Sequence, residues 1–263
     1  MNVYIHSFRV VLMAIPLPID MKIGSIHKTR EHGDLEIIKI SSSTEVVVRF
    51  IDTGYETTTT LGNIRKGAVK DKLHPYVLGV GFIGVGEFKG VINGRKTEAY
   101  NKWMQMLTRC YSDKYQSKNP AYKWCIVIDE WHNFQNFASW ISSQGETKGF
   151  ELDKDLLFCG NKVYSKETCL IIPRWLNSFT LNKQVSRGDY PVGVSMSKVA
   201  GKFMAYCNEN GKRIHLGYYS CAEAAHSAWM EKKLSIALSK KNEMDEIDER
   251  IYPNVVSIIQ SMK

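Results

Sequence analysis

The side chains best suited to chemistry lie between residues 190 and 241, where a strand pattern sets their directions. Residues 191–197, 202–207 and 212–219 alternate between apolar and polar side chains, as half-buried strands do. In this alternation Phe203, Ala205 and Cys207 face inward. The outward-facing set is Lys202, Met204, Tyr206, Asn208, Arg213 and His215. Lysine, arginine, asparagine, tyrosine and histidine supply phosphate contacts and base-edge hydrogen bonds, so the pattern predicts a DNA-binding face.

The charge of this region supports the same interpretation. Residues 190–241 hold eight Lys or Arg and three acids, a net charge of +5, within a chain whose net charge is +8. Such an excess favours a nucleic acid as partner, with a membrane surface second. No apolar run approaches the roughly 18 residues of a transmembrane helix, so we expect no spanning helix. The predicted partners are double-stranded DNA and no membrane. The candidate DNA-binding residues are Lys198, Lys202, Tyr206, Asn208, Lys212, Arg213 and His215.

The elements that must position these residues are a sheet and a helix. Asn210-Gly211 is a strong hairpin signal, because both residue types tolerate positive φ. Ser220 is expected to cap a helix that runs through Ala222, Ala225 and Leu234. Three strands backed by one helix form a complete small unit.

Particular residues of this block follow the order of a known family. They are Gly193-Val194, Gly201-Lys202-Phe203, Ala205, Asn210-Gly211-Lys212-Arg213, Leu216-Gly217-Tyr218-Tyr219 and Ala222-Glu223-Ala224-Ala225. The block resembles the AP2 (ERF-type) DNA-binding domain, which implies that the sheet lies in the DNA major groove and the helix backs it. Ser195 and Ser197 stand where plant members place arginines. Serine hydroxyls contact phosphates but cannot form the bidentate hydrogen bonds that arginine makes to guanine, so we expect low sequence specificity.

A second block, residues 97–180, has helical periodicity. Tyr100, Trp103, Leu107 and Cys110 predict one amphipathic helix over residues 97–111. Phe134, Phe137, Trp140 and Ile141 predict another, and we interpret these aromatic side chains as core. A short strand is expected around residues 150–153. Ser165-Lys166-Glu167 is typical of a helix start.

Two sets of residues in this block match a second family. Its leading helices are matched by Tyr100, Trp103, Arg109-Cys110-Tyr111, Tyr122, Glu130-Trp131, Phe134, Phe137 and Trp140. Its core is matched by Leu152-Asp153-Lys154-Asp155, Asn161, Tyr164-Ser165, Glu167-Thr168-Cys169 and Asn177. The block resembles a phage and mobile-element family related to the HNH endonucleases, whose members are often joined to AP2 domains.

This resemblance implies a ββα region that binds one divalent metal, Mg²⁺ or Mn²⁺. Asp153 and Asn177 occupy the metal-ligand positions, 24 residues apart. Lys154 occupies the position of the water-activating histidine, and Thr168 that of the middle asparagine. A lysine is protonated near neutrality and accepts a proton only when burial lowers its pKa strongly. The resemblance therefore implies a degenerate nuclease site, with Asp153 and Lys154 at the catalytic positions.

The flanking regions carry simpler predictions. In the first block, residues 21–84, candidate strands at 23–26, 35–40, 45–51 and 55–61 suggest a small SH3-like barrel. Residues 1–20 are expected to be an extension that contributes little to the fold. Residues 242–263 form a tail with a terminal helix. The predicted class is α+β and multidomain.

Six widely spaced cysteines without a C-x-x-C pair predict reduced, mostly buried thiols and a cytoplasmic protein, in the host cytoplasm if the chain is phage-encoded.

The leading hypothesis is a DNA-binding protein related to HNH–AP2 homing endonucleases, which either nicks DNA with a metal or occupies it without cutting. One alternative is a non-catalytic regulator that binds DNA and contacts a host protein through the N-terminal barrel. Another is an RNA-binding accessory protein, since small barrels and tyrosine-rich sheets also stack single-stranded bases. An enzyme requires the Asp153 carboxylate and the Asn177 amide to converge on one metal.

Overall fold

The computed structural model describes residues 20–145, 147–181 and 189–263. It confirms a mixed fold of several small sheets and α-helices, consistent with the α+β class. The predicted extension before Asp20 lies outside the described residues. The chain divides into two compact units, with the boundary between Val85 and Gly86. None of the described helices combines the length and apolar character needed to cross a bilayer.

The first unit is an antiparallel meander in the order β1-β2-β3-β4. Its elements are β1 (Ile26–Lys28), β2 (Asp34–Ser42), β3 (Glu45–Phe50), β4 (Glu56–Thr59) and a short helix α1 (Leu61–Arg65) capped by Thr60. Alternate residues of β2 and β3 are buried, which is the period-2 signal of the sequence. Closure of this sheet into an SH3-like barrel stays a prediction.

The first predicted strand begins later than expected. Gly24 has a φ of 85° and the amide of Ser25 bonds to the carbonyl of Lys22, so residues 22–25 form a turn before β1.

The second unit opens with a hairpin that the sequence patterns did not predict. Strands β5 (Val91–Ile92) and β6 (Arg95–Lys96) flank Asn93 and Gly94, whose φ angles are 50° and 73°. Two central residues with positive φ define the two-residue hairpin turn. The preceding segment is fastened by the Gln135 amide, which donates to the carbonyl of Phe88 and accepts from its N–H, both at 3.0 Å.

Three helices come next, and the first and the last of them carry aromatic residues of the core. They are α2 (Glu98–Tyr111), α3 (Asp113–Lys118) and α4 (Phe134–Ser143), which confirms the two helices predicted from aromatic spacing. Trp103, Trp131, Phe134 and Phe137 are almost completely buried. The indole of Trp103 donates to the carbonyl of Trp131 at 2.7 Å, so the polar end of this ring is satisfied inside the core.

Two small sheets and a helix complete this region. The elements are β7 (Ile126–Val127), β8 (Phe150–Asp153), β9 (Val163–Tyr164), β10 (Leu170–Pro173) and α5 (Arg174–Thr180). We call β8, β10 and α5 the ββα arrangement. Strands β7 and β9 pair in parallel, whereas β8 and β10 pair antiparallel, with Asp153 opposite Leu170 and Phe150 opposite Pro173.

The prediction that a helix starts at Ser165 is wrong. Residues 165–168 form a turn closed by the Cys169 amide on the Ser165 carbonyl at 2.9 Å. The chain then enters β10, because Leu170, Ile171 and Ile172 bury their apolar side chains there. The helix begins at Arg174.

The C-terminal part holds an antiparallel sheet and three helices. The elements are β11 (Val194–Ser197), β12 (Lys202–Glu209), β13 (Lys212–Tyr219), α6 (Ala222–Ser239), α7 (Lys241–Asp245) and α8 (Ile251–Ser261). Residue Cys221, not Ser220, is the cap residue of α6, and its side chain makes no capping bond. The terminal helix expected within residues 242–263 is α8, which packs on α6.

One hydrophobic core joins these parts of the second unit. It includes Leu176 of α5, Trp229 and Ala237 of α6, and Val255 and Ile259 of α8. The blocks read from the sequence as residues 97–180, 190–241 and 242–263 thus contribute to a common core, and their separation into domains stays a prediction.

Candidate nucleic-acid interface

The C-terminal sheet has one buried and one open face. Ala205 and Cys207 are 0% and 2% exposed beneath α6. On the other face, the antiparallel register brings Met204 opposite Tyr218, Tyr206 opposite His215, and Asn208 opposite Arg213. The burial of the strands therefore follows the predicted alternation from Lys202 to Asn208.

A row of rings and a guanidinium occupies the open face. The Arg213 Cζ lies 3.9 Å from the centre of the Tyr206 ring. The Tyr206 and His215 rings are 5.1 Å apart, and the His215 and Tyr218 rings 4.9 Å. Flat, half-exposed rings beside a cation can stack on bases or sugars and bind phosphate at the same time.

Tyr218, which is 53% exposed, was not in the predicted outward-facing set. Strict alternation after His215 sends residue 218 inward. The register shifts between Ala205 and Tyr206, so Leu216 is an extra residue and Tyr218 turns outward. Gly217, with a φ of 131°, was the available signal, because glycine inside a strand often marks a bulge.

The cations of this face are available to a partner. Lys198, Lys202, Lys212 and Arg213 are all exposed. The ion pairs of the C-terminal part join other residues: Lys232–Glu209, Lys240–Glu243, Lys241–Asp245 and Arg250–Asp248. Within the described ranges none of the four exposed cations is paired with a carboxylate. An unpaired surface cation binds phosphate without first breaking an internal ion pair.

A cavity of about 550 Å³ lies at the edge of this sheet, beside the end of α5. Three predicted contact residues line it: Tyr206, Asn208 and Arg213. Lys233 of α6 also lines the cavity, and the sequence did not predict it there. Its Nζ lies 3.5 Å from the centre of the Phe179 ring. Burial lowers the pKa of Lys233 to about 8. A lysine in a helix gives no sequence signal of this placement.

In the ββα arrangement, Asp153 stabilises its own turn. Its Oδ1 accepts from the backbone N–H groups of Asp155 and Leu156, at 2.9 and 2.7 Å. Burial raises the pKa of this carboxyl above its ordinary value, and the two N–H groups partly oppose the shift.

Lys154 is buried, and its Nζ is held by two acceptors. It donates to Asp155 Oδ1 at 2.6 Å and to the carbonyl of Asn161 at 2.5 Å. The Asn161 amide in turn donates to the carbonyls of Lys154 and Val163. This geometry makes Lys154 a brace for the loop between β8 and β9. Its predicted catalytic role stays a prediction.

Asn177 reaches a different carboxylate from the predicted one. Its Nδ2 donates to Glu151, which also accepts from Arg174 Nε at 3.2 Å. Glu151 and Asp153 are two residues apart on β8, about 7 Å along the strand. The Asn177 amide is thus engaged by Glu151, and a metal ion shared by Asp153 and Asn177 stays a prediction. Among the described residues, no group of three or more His, Cys, Asp or Glu could hold a metal ion.

All six cysteines fall within the described ranges and are free thiols, four of them buried. This confirms the mostly buried thiols expected from the sequence, and their reduced state stays a prediction. Burial raises the pKa of both Cys110 and Cys169 to about 12, so these thiols stay protonated near neutrality.

Three comparisons, with protein-family models, with curated proteins and with solved structures, gave no match to this chain. The AP2 and HNH resemblances remain predictions that rest on the quoted residues.

Proposed function

We propose that this protein binds double-stranded DNA through the open face of β11, β12 and β13. The observation that carries the proposal is the unpaired cationic and aromatic surface formed by Lys202, Tyr206, Arg213, His215 and Tyr218. Neutralising phosphates with these cations releases counterions, which supplies affinity at moderate salt. The opposite sheet face is closed by α6, so the strands are rigidly supported.

The test is DNA binding measured by fluorescence anisotropy over a range of salt concentrations. Arg213→Ala and Lys202→Ala should each weaken duplex binding and reduce the slope of log affinity against log salt by about one. Lys241→Ala is the matched control, because Lys241 is already paired with Asp245. Unchanged binding in both surface variants at low salt would remove the basis of the proposal.

A second candidate function is metal-dependent nicking of the bound DNA. The chain order β8, β10, α5 favours it, since two antiparallel strands followed by a helix is the arrangement that the HNH resemblance implies. The contacts of Lys154 and Asn177 favour occupancy of DNA without cutting. Contact of the first unit with a host protein stays a prediction.

A further inference from the structure

The most exposed tryptophan of the chain lies far in sequence from the proposed DNA-binding sheet. Trp124 is 78% exposed, and it is the only exposed one of the six tryptophans, all of which are described. Burial of a ring this large normally contributes to the core, so its exposure requires an explanation.

The backbone at Trp124 is strained. The Cys125 amide bonds to the Tyr122 carbonyl at 3.0 Å, which closes a four-residue turn. Lys123 has φ −58° and ψ 133°, and Trp124 has a φ of 68°. This is the type II pattern, whose third position favours glycine because a side chain there is strained. Trp124 occupies that position, and its exposed ring gains little packing to offset the strain.

The structure on both sides holds this turn in place. Cys125 is buried, and the Ile126 amide bonds to the Lys162 carbonyl at 2.8 Å, as β7 begins. On the other side, Lys162 Nζ donates to the carbonyl of Ala121 at 2.7 Å. A backbone held in this way fixes the direction of the Cα–Cβ bond, so the indole leaves the surface at a defined point.

The ring lies beside one cation, in a lysine-rich stretch of the chain. Lys123 Nζ lies 5.3 Å from the centre of the Trp124 ring, and Lys114 and Lys118 are exposed on the preceding helix. None of these three lysines forms an ion pair within the described part of the chain. Asp113 is the only acid between residues 112 and 124.

We propose that Trp124 is a stacking platform for an unpaired base of single-stranded or locally opened DNA, with Lys123 and its neighbouring lysines on the adjoining phosphates. An exposed indole offers a π-face to any base, and the lysines complement the charge of the backbone. This inference deepens the proposed function and rests on it. It adds a contact to single strands that the sheet does not require.

The experiment uses the full chain and a fluorescein-labelled oligothymidylate, beside a labelled duplex. Trp124→Gly is the decisive variant, because glycine fits the positive φ and removes the ring. We expect it to keep or raise the melting temperature while weakening oligothymidylate binding by about tenfold. Trp124→Phe should retain most of the affinity. Oligothymidylate should also protect the exposed tryptophan of the wild type from iodide quenching.

The outcomes separate the two proposals. If Trp124→Gly binds oligothymidylate as the wild type does, the stacking inference is overturned, while Arg213-dependent duplex binding still supports the sheet. If the wild type binds neither nucleic acid at low salt, both proposals are overturned. Protection of the tryptophan by anionic lipid vesicles but not by oligothymidylate would assign this surface to a membrane and also overturn the inference.

Discussion

Gly193 lies against the indole of Trp229 so closely that a Cβ at residue 193 would come within 2.1 Å of Trp229 Cδ1. Gly193 also has a φ of 79°, and its carbonyl accepts from the Tyr206 amide at 2.8 Å. The residue therefore joins the entry to β11, the middle of β12 and the core side of α6. No larger residue satisfies both the backbone conformation and the close approach.

We expect Gly193→Ala to lower the free energy of unfolding by roughly 2–4 kcal/mol, because it combines backbone strain with overpacking. Gly201→Ala is the matched control: Gly201 has a φ of 61°, but a Cβ added there would meet no atom within 4 Å. That variant should lose only about 1 kcal/mol. Urea unfolding measures both, and equal losses would contradict the role of the Trp229 contact.

The lowered pKa of Lys233 predicts that the free energy of unfolding increases at alkaline pH. Its pKa is about 8 in the folded chain, against an ordinary value of 10.5. Between those values the unfolded chain binds more protons, so this lysine makes stability rise with pH from about 8 to 10.5. Below about pH 8 the amine is charged in both states, and the folded chain carries the cost of its partial desolvation.

Lys233→Met should therefore raise the melting temperature at about pH 7 and remove part of the rise between about pH 8 and 10. The measurement is the difference in melting temperature between variant and wild type at each pH, since other groups also titrate there. Lys198→Met, at an exposed position, is the control and should change little. A variant less stable than the wild type near neutral pH would show that the contact with Phe179 outweighs the desolvation of the amine.

A substitution at Ile259 tests whether one core joins β10, the C-terminal sheet and the terminal helices. Ile259→Ala should cost about 3 kcal/mol, because the side chain is fully buried among Leu176, Trp229 and Val255. Hydrogen exchange should quicken in β10 as well as in β12, since both strands contribute side chains to this core. Ser257→Ala, on the exposed side of α8, is the control. Faster exchange confined to α8 would contradict a shared core.

The contacts of the ββα arrangement predict no nicking of supercoiled plasmid by the wild type in Mg²⁺ or Mn²⁺. Lys154→His is not expected to create activity. It removes the donor to Asp155 and to the Asn161 carbonyl, and so should destabilise the loop by roughly 1–3 kcal/mol.

The opposite result has a clear signature. Asp153→Asn keeps an oxygen for the two backbone N–H groups but removes the charge. Nicking by the wild type that disappears in Asp153→Asn, at an unchanged melting temperature, would establish a metal-dependent nuclease.

The sequence predicted those parts of the fold that rest on local periodicity. The spacing of Trp103 and Phe134 located two helices, and the alternation around Ala205 located the buried sheet face, because both patterns follow from backbone geometry. The hairpin at Asn93 was missed although Asn-Gly is a turn signal, since its strands are only two residues long.

Features set by distant parts of the chain were not predictable. The pairing of Asn177 with Glu151 depends on how α5 crosses β8, and the burial of Lys233 depends on the end of α5. The strained backbone at Trp124 was likewise not predictable, because nothing in residues 122–125 indicates a positive φ at a tryptophan.

The core that joins Leu176, Trp229 and Ile259 also restricts how this chain can exchange parts with other genes. Each of these side chains is at most 5% exposed. A recombination event that transferred only the sheet and α6 would deliver a fragment with a large apolar face uncovered, which promotes aggregation. The ββα arrangement, the sheet and the terminal helices are therefore expected to stay soluble only when they are transferred together.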